Sequence, residues 1–157
     1  MNTLKTGLLM LIFFGILAVC NNAYADNYPI NNKIHVQHYL FEIRFSDKTN
    51  EINAIASIRI LFKEAGVRKL RLDLTNLTDN SSGKGMTITS VTVDGRVIQY
   101  IHNENALTLQ LDQAPSPDSE KVFIIHYHGA PADGLHIGPN KYGDRGFFSD
   151  NWPNKAR

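Results

Sequence analysis

With 157 residues, 43% of them hydrophobic and 20% charged, the chain has an ordinary globular composition and the length of one domain. Its formal charge of +1 gives no electrostatic case for nucleic acid or an anionic membrane surface as partner. The single cysteine, Cys20, excludes an internal disulfide as a stabilising device.

The first 25 residues read as a secretory leader. Lys5 supplies a short positive region, and residues 8–19 are an apolar run too short to span a bilayer comfortably. Ala23-Tyr24-Ala25 places small residues at −3 and −1, so cleavage is expected between Ala25 and Asp26. A rival processing route uses Leu17-Ala18-Val19-Cys20 as a lipoprotein box with a lipid on Cys20, although Val19 is bulkier than the residue such a box expects. Without Lys5, the 16 basic residues fall to 15 against 15 acidic ones, and the mature chain is neutral.

Period-two alternation then takes over. Tyr39, Phe41, Ile43 and Phe45 alternate with polar residues, as do Ile52, Ala54, Ala56, Ile58, Ile60 and Phe62, and then Leu70, Leu72 and Leu74. Successive strand side chains point to opposite faces, so each run predicts a strand with one core face. Leu40, Ile55 and Leu61 make the second face partly apolar. Residues 87–93 are mostly β-branched, and residues 96–101 resume the strand after Asp94-Gly95. Asp-Gly between two such runs predicts a type I′ hairpin, which needs positive φ at both central residues. Leu107, Leu109 and Leu111 form the next strand, and residues 122–127 the last. About seven short strands separated by turn signals predict an all-β fold, an antiparallel β-sandwich over residues 26–132.

From Gly129 the character changes. Residues 133–157 are rich in glycine and aromatic residues and are expected to be irregular, a segment that packs on something else. Phe147, Phe148 and Trp152 read as a patch for interdomain packing or as core of this domain. Asp144, Arg145 and Asp150 read either as a polar rim or as loop pairing and turn capping. The ending at Ala156-Arg157, with no closing element, reads as truncation.

Catalytic chemistry is hard to find. The mature chain has no cysteine nucleophile, no glycine-rich phosphate loop and no H-E-x-x-H zinc motif. His126 and His128 share a strand face, with His136 the nearest third histidine, but no carboxylate has the spacing to complete a metal site. No catalytic or metal-binding residue is assigned.

The order of several motifs resembles the aminopeptidase N family of zinc metallopeptidases. His38-Tyr39-Leu40-Phe41-Glu42-Ile43 is similar to the strand that opens that family's N-terminal domain. Leu70-Arg71-Leu72-Asp73-Leu74 is similar to its L-x-L-D-L strand, and Val91-Thr92-Val93-Asp94-Gly95 to its hairpin. Tyr127-His128-Gly129-Ala130-Pro131 resembles its Y-x-G-x-P step, Gly134-Leu135 the following G-L, and residues 151–157 the segment leading toward the catalytic domain. The resemblance implies a saddle-shaped N-terminal β-sandwich that packs on a thermolysin-like domain. That absent domain would hold zinc, activate its water with a Glu and bind the peptide substrate. Where many members carry a Gln and a Glu before the Ala-Arg step, this chain has Asp150 and Trp152, so Asp150 is the one candidate for substrate contact.

The expected function is that of an exported, non-catalytic N-terminal domain of a zinc aminopeptidase, with its catalytic domain as partner and no cofactor of its own. Three alternatives stay open: a complete secreted binding module for protein or glycan, a small metal enzyme using His126, His128 and His136, and a catalytically dead family member that binds a partner.

Overall fold

The computed structural model describes residues 31–150, and every regular element among them is a strand. The leader, Cys20, the Ala25–Asp26 cleavage site and Trp152 lie outside the described residues. In chain order the strands are β1 (Ile34–Arg44), β2 (Ile52–Phe62), β3 (Lys69–Asp73), β4 (Gly85–Val93) and β5 (Arg96–Val97). There follow β6 (Gln99–Asn103), β7 (Ala106–Gln110), β8 (Ser119–Ala130), β9 (Gly134–Pro139) and β10 (Arg145–Asp150).

Antiparallel pairing gives a five-stranded sheet in the order β1-β2-β8-β4-β5 and a three-stranded sheet in the order β3-β7-β6. The alternation in β2 is realised fully: Ile52, Ala54, Ala56, Ile58, Ile60 and Phe62 are all buried on one face. Phe123 and Ile125 of β8 lie opposite Ile58 and Ala56, and Val91 of β4 lies opposite Ile125. The small sheet answers with Leu70, Leu107 and Leu109, and the facing rows form one core with Phe62 and Phe123 tilted at 6.5 Å. Two sheets packed on their apolar faces make the antiparallel β-sandwich that the alternation predicts.

The Asp94-Gly95 hairpin forms as expected. Val93 pairs with Arg96, and φ is +48° at Asp94 and +79° at Gly95, the left-handed pair of a type I′ turn. The strand expected over residues 96–101 is interrupted. Ile98 turns inward, is buried, and donates its N–H to Val91 O at 3.0 Å. The chain leaves the large sheet there and enters the small one as β6, so a single buried residue carries it from one layer to the other.

The tail departs further from expectation. Residues expected to be irregular form β9 and β10, an antiparallel hairpin in which Arg145 pairs with Pro139 and Asp150 with Gly134. Leu135 and Ile137 pack against a second small core of Ile52, Ala54 and Met86, beside Leu74 and Tyr127. The alternation is masked because three of the six residues on the opposite face, Gly134, Gly138 and Gly146, are glycine.

Candidate functional site

Side chains far apart in sequence hold the hairpin in place. Asn140 Oδ1 accepts the N–H groups of Tyr142 at 2.8 Å and Asp144 at 3.0 Å, which shapes the loop between β9 and β10. Arg145 then reaches back to the β1–β2 loop, donating from Nη2 to Thr49 O and, at 2.7 Å, to Asn50 Oδ1. Its Nε is buried without a hydrogen-bond partner, which leaves one donor of the guanidinium uncompensated. Arg145 is thus a clamp between the hairpin and the large sheet. Nothing in the sequence marked Thr49 and Asn50 as its partners.

The expected aromatic patch divides. Phe147 and Phe148 are successive residues of β10, so their side chains leave opposite faces. Phe147 lies opposite Ile137 and meets Phe45 with ring centroids 4.6 Å apart, and the Arg145 guanidinium sits 5.9 Å from its ring. Phe148 turns the other way and stacks on His136 at 5.8 Å. Both remain exposed, Phe148 at 59%. Asp150 closes β10 opposite Gly134.

On the outer face of the large sheet, beside the register shift in β4 between Ile88 and Ser90, lies a shallow depression of about 290 Å³. Glu42, Arg44, Asn53, Ile55, Ser90 and His126 line it. Polar strand residues there alternate with the inward apolar row, and nothing local to Glu42 and Arg44 marks that they share this face with His126 across β2. His126 and His128 do point to this same face, on successive outward positions of β8. Tyr127, pointing inward between them, has its phenol pushed above its ordinary value by burial. Among the described residues, no three His, Cys, Asp or Glu side chains gather as a metal site would require, so the histidine triplet with His136 does not assemble.

The Y-x-G-x-P step also has a physical role. Gly129 has φ +146°, and a Cβ there would collide with the backbone carbonyl of Gly85 on β4. The close approach of β4 and β8 at this point requires glycine.

Comparison with known proteins places the fold. No protein-family model and no curated protein matches the chain. Among solved structures, an M1 zinc metallopeptidase from Deinococcus radiodurans is similar, with a TM-score of 0.57 and 17% identity over 78% of this chain and 27% of that one. A mutant M1 zinc metallopeptidase from the same organism, bound to a Tyr-Ser-Ala substrate, gives a TM-score of 0.52 and 15% identity over 64% of this chain and 21% of that one. A two-domain M1 zinc metallopeptidase mutant bound to L-arginine gives a TM-score of 0.52 and 14% identity over 79% of this chain and 25% of that one. The chain therefore spans 21% to 27% of these solved chains, and at such identities the likeness is one of fold.

Proposed function

We propose that this chain is the N-terminal, non-catalytic β-domain of an exported zinc aminopeptidase related to aminopeptidase N. The observation that carries the reading is the shared fold with M1 zinc metallopeptidases of which the chain spans about a quarter (27% in one case). The motif order over residues 38–157 supports it, and the Gly129 contact gives one of those motifs a structural reason.

The role of the domain is architectural. Phe148 on the outward face of the hairpin, the exposed edge of Phe147, and Trp152 beyond it would pack against the catalytic domain. Each side chain fully buried there would contribute about 1.5–3 kcal/mol. Asp150 would stand near the peptide substrate in the whole enzyme. Zinc would be held by the catalytic domain, in keeping with the zinc metallopeptidases whose fold the chain shares. Export would follow from cleavage of the expected leader after Ala25.

A second reading, a secreted binding module, draws on the outer-face depression around Glu42, Arg44 and His126. The downstream reading frame discriminates the two. In-frame coding sequence reaching H-E-x-x-H within about two hundred residues of Arg157, a typical domain length, supports the peptidase, and the native product should carry zinc and release N-terminal amino acids. A stop codon directly after Arg157 in an intact gene overturns it and favours the module.

A further inference from the structure

The two edges of the large sheet differ sharply. One is β5, a two-residue strand too short to template further pairing. The other is β1, eleven residues long, which among the described residues has a neighbour on one side only. Leu40, Phe41, Ile43 and Phe45 on or beside it are 49%, 47%, 39% and 47% exposed. A long edge strand this apolar is a pairing surface unless something protects it.

The backbone has the right phase for pairing. Lys63 N donates to Lys33 O at 2.8 Å, which makes that couple a hydrogen-bonded pair. Counting alternate pairs along β2, through the shift between Val36 and His38, puts His38, Leu40, Glu42 and Arg44 at hydrogen-bonded positions opposite Arg59, Ser57, Ile55 and Asn53. Phe41 and Ile43 therefore turn their N–H and C=O groups away from β2, toward the open edge.

We propose that β1 pairs antiparallel with β1 of a second copy of this chain, with Ile43 on the two-fold axis. In this register Ile43 meets Ile43 and Phe41 meets Phe45 on the inner face. Glu42 faces Arg44 of the second copy on the outer face, twice by symmetry. These last are non-hydrogen-bonded positions, where opposed Cα atoms are about 4.5 Å apart and side chains meet closely. The alternative axis at Phe41 has the same hydrogen-bond phase but sets Glu42 against Leu40 and Arg44 against His38, so charge selects the Ile43 register. The resulting sheet is continuous across both copies, and each copy's exposed aromatic row covers the other's. The contact area is that of a single strand pair, so the association is concentration-dependent rather than permanent. The pairing does not rest on the peptidase reading.

Sedimentation velocity of the whole chain over a concentration series tests it. Wild type should shift from monomer to dimer, and Glu42→Arg or Arg44→Glu should each weaken the dimer about tenfold by setting like charges in facing positions. The double exchange Glu42→Arg/Arg44→Glu should restore it. Mixing the two single variants should yield a heterodimer stronger than either homodimer, a result that loss of folding cannot imitate. Ile43→Pro should abolish pairing while leaving the β2 ladder intact, because the lost N–H faces the open edge. A monomer at every concentration overturns the proposal. So does a dimer indifferent to the charge variants, or one that the double exchange fails to rescue.

Discussion

Replacing Gly129 by alanine should be among the most damaging single-methyl changes available to this chain. Two independent penalties act at that position. The backbone sits at φ +146°, a region that side chains with a Cβ rarely adopt, and forcing alanine there costs about 1–3 kcal/mol. The new Cβ also runs into the carbonyl of Gly85 and lies 3.1 Å from Met86 Cα, atoms of the β4 backbone that no rotamer change can move aside. Overpacking of this kind costs roughly a further 1–3 kcal/mol. A loss of about 2–6 kcal/mol is a large part of a typical domain's 5–15 kcal/mol. Gly95→Ala is the control: φ is +79°, but nothing lies within 4 Å of the added Cβ, so only the left-handed backbone penalty of about 1–2 kcal/mol applies. Urea titration of both variants followed by far-ultraviolet circular dichroism measures the two losses on one scale. If Gly129→Ala loses no more than Gly95→Ala, the close approach of β4 and β8 is not what fixes this residue.

Two further outcomes concern the hairpin and the β4–β5 turn. Arg145→Ala removes the bonds to Thr49 and Asn50, so trypsin should cut faster at Lys141 in the hairpin loop, while the midpoint for the sandwich falls by no more than about 1.5–3 kcal/mol; unchanged cleavage would refute the clamp. Asp94 accepts a bond from Lys121 Nζ at 2.7 Å, which holds its carboxyl below the ordinary 3.8. A depressed folded-state value means the stabilisation is present above about pH 4 and lost as pH falls through the lower value. Because the pair is largely exposed, the gain is under about 1 kcal/mol. Asp94→Asn keeps the turn chemistry and should remove this increment at pH 7, with the gap to wild type narrowing as the pH falls below about 4; a gap that stays constant as the solution is acidified counts against the pairing.

The sandwich was legible because its strands obey a local rule. The apolar row of β2 and the Asp94-Gly95 turn are visible in any window of ten residues, and both form as read. What escaped reading depends on partners distant in sequence. Nothing around Ile98 signals a change of sheet, since Gln99, Tyr100 and Ile101 continue a strand pattern; the break comes from the core that buries Ile98. The turn at Glu104 and Asn105, with φ of +49° and +58°, lacks glycine and is held by Asn76 Oδ1 accepting the N–H of Asn105 at 2.8 Å. In the hairpin, glycine on one face masked the alternation of Leu135 and Ile137 on the other. Phe147 and Phe148 were recognisable as unusual, but their separation onto opposite faces depends on the strand that was not read. The Glu42–Arg44 spacing was present all along, yet its meaning depends on β1 lying at a sheet edge.

The pairing of Phe62 with Ser119 has a kinetic corollary. Between those residues lie β3 to β7, so the two long central strands join only by closing a loop that contains the whole small sheet. Bringing such remote ends together early forfeits much chain freedom for few contacts. The β6–β7 hairpin, joined by a two-residue turn, has no such obstacle. Closure of β2 on β8 should therefore follow the local hairpins and slow the folding of the whole.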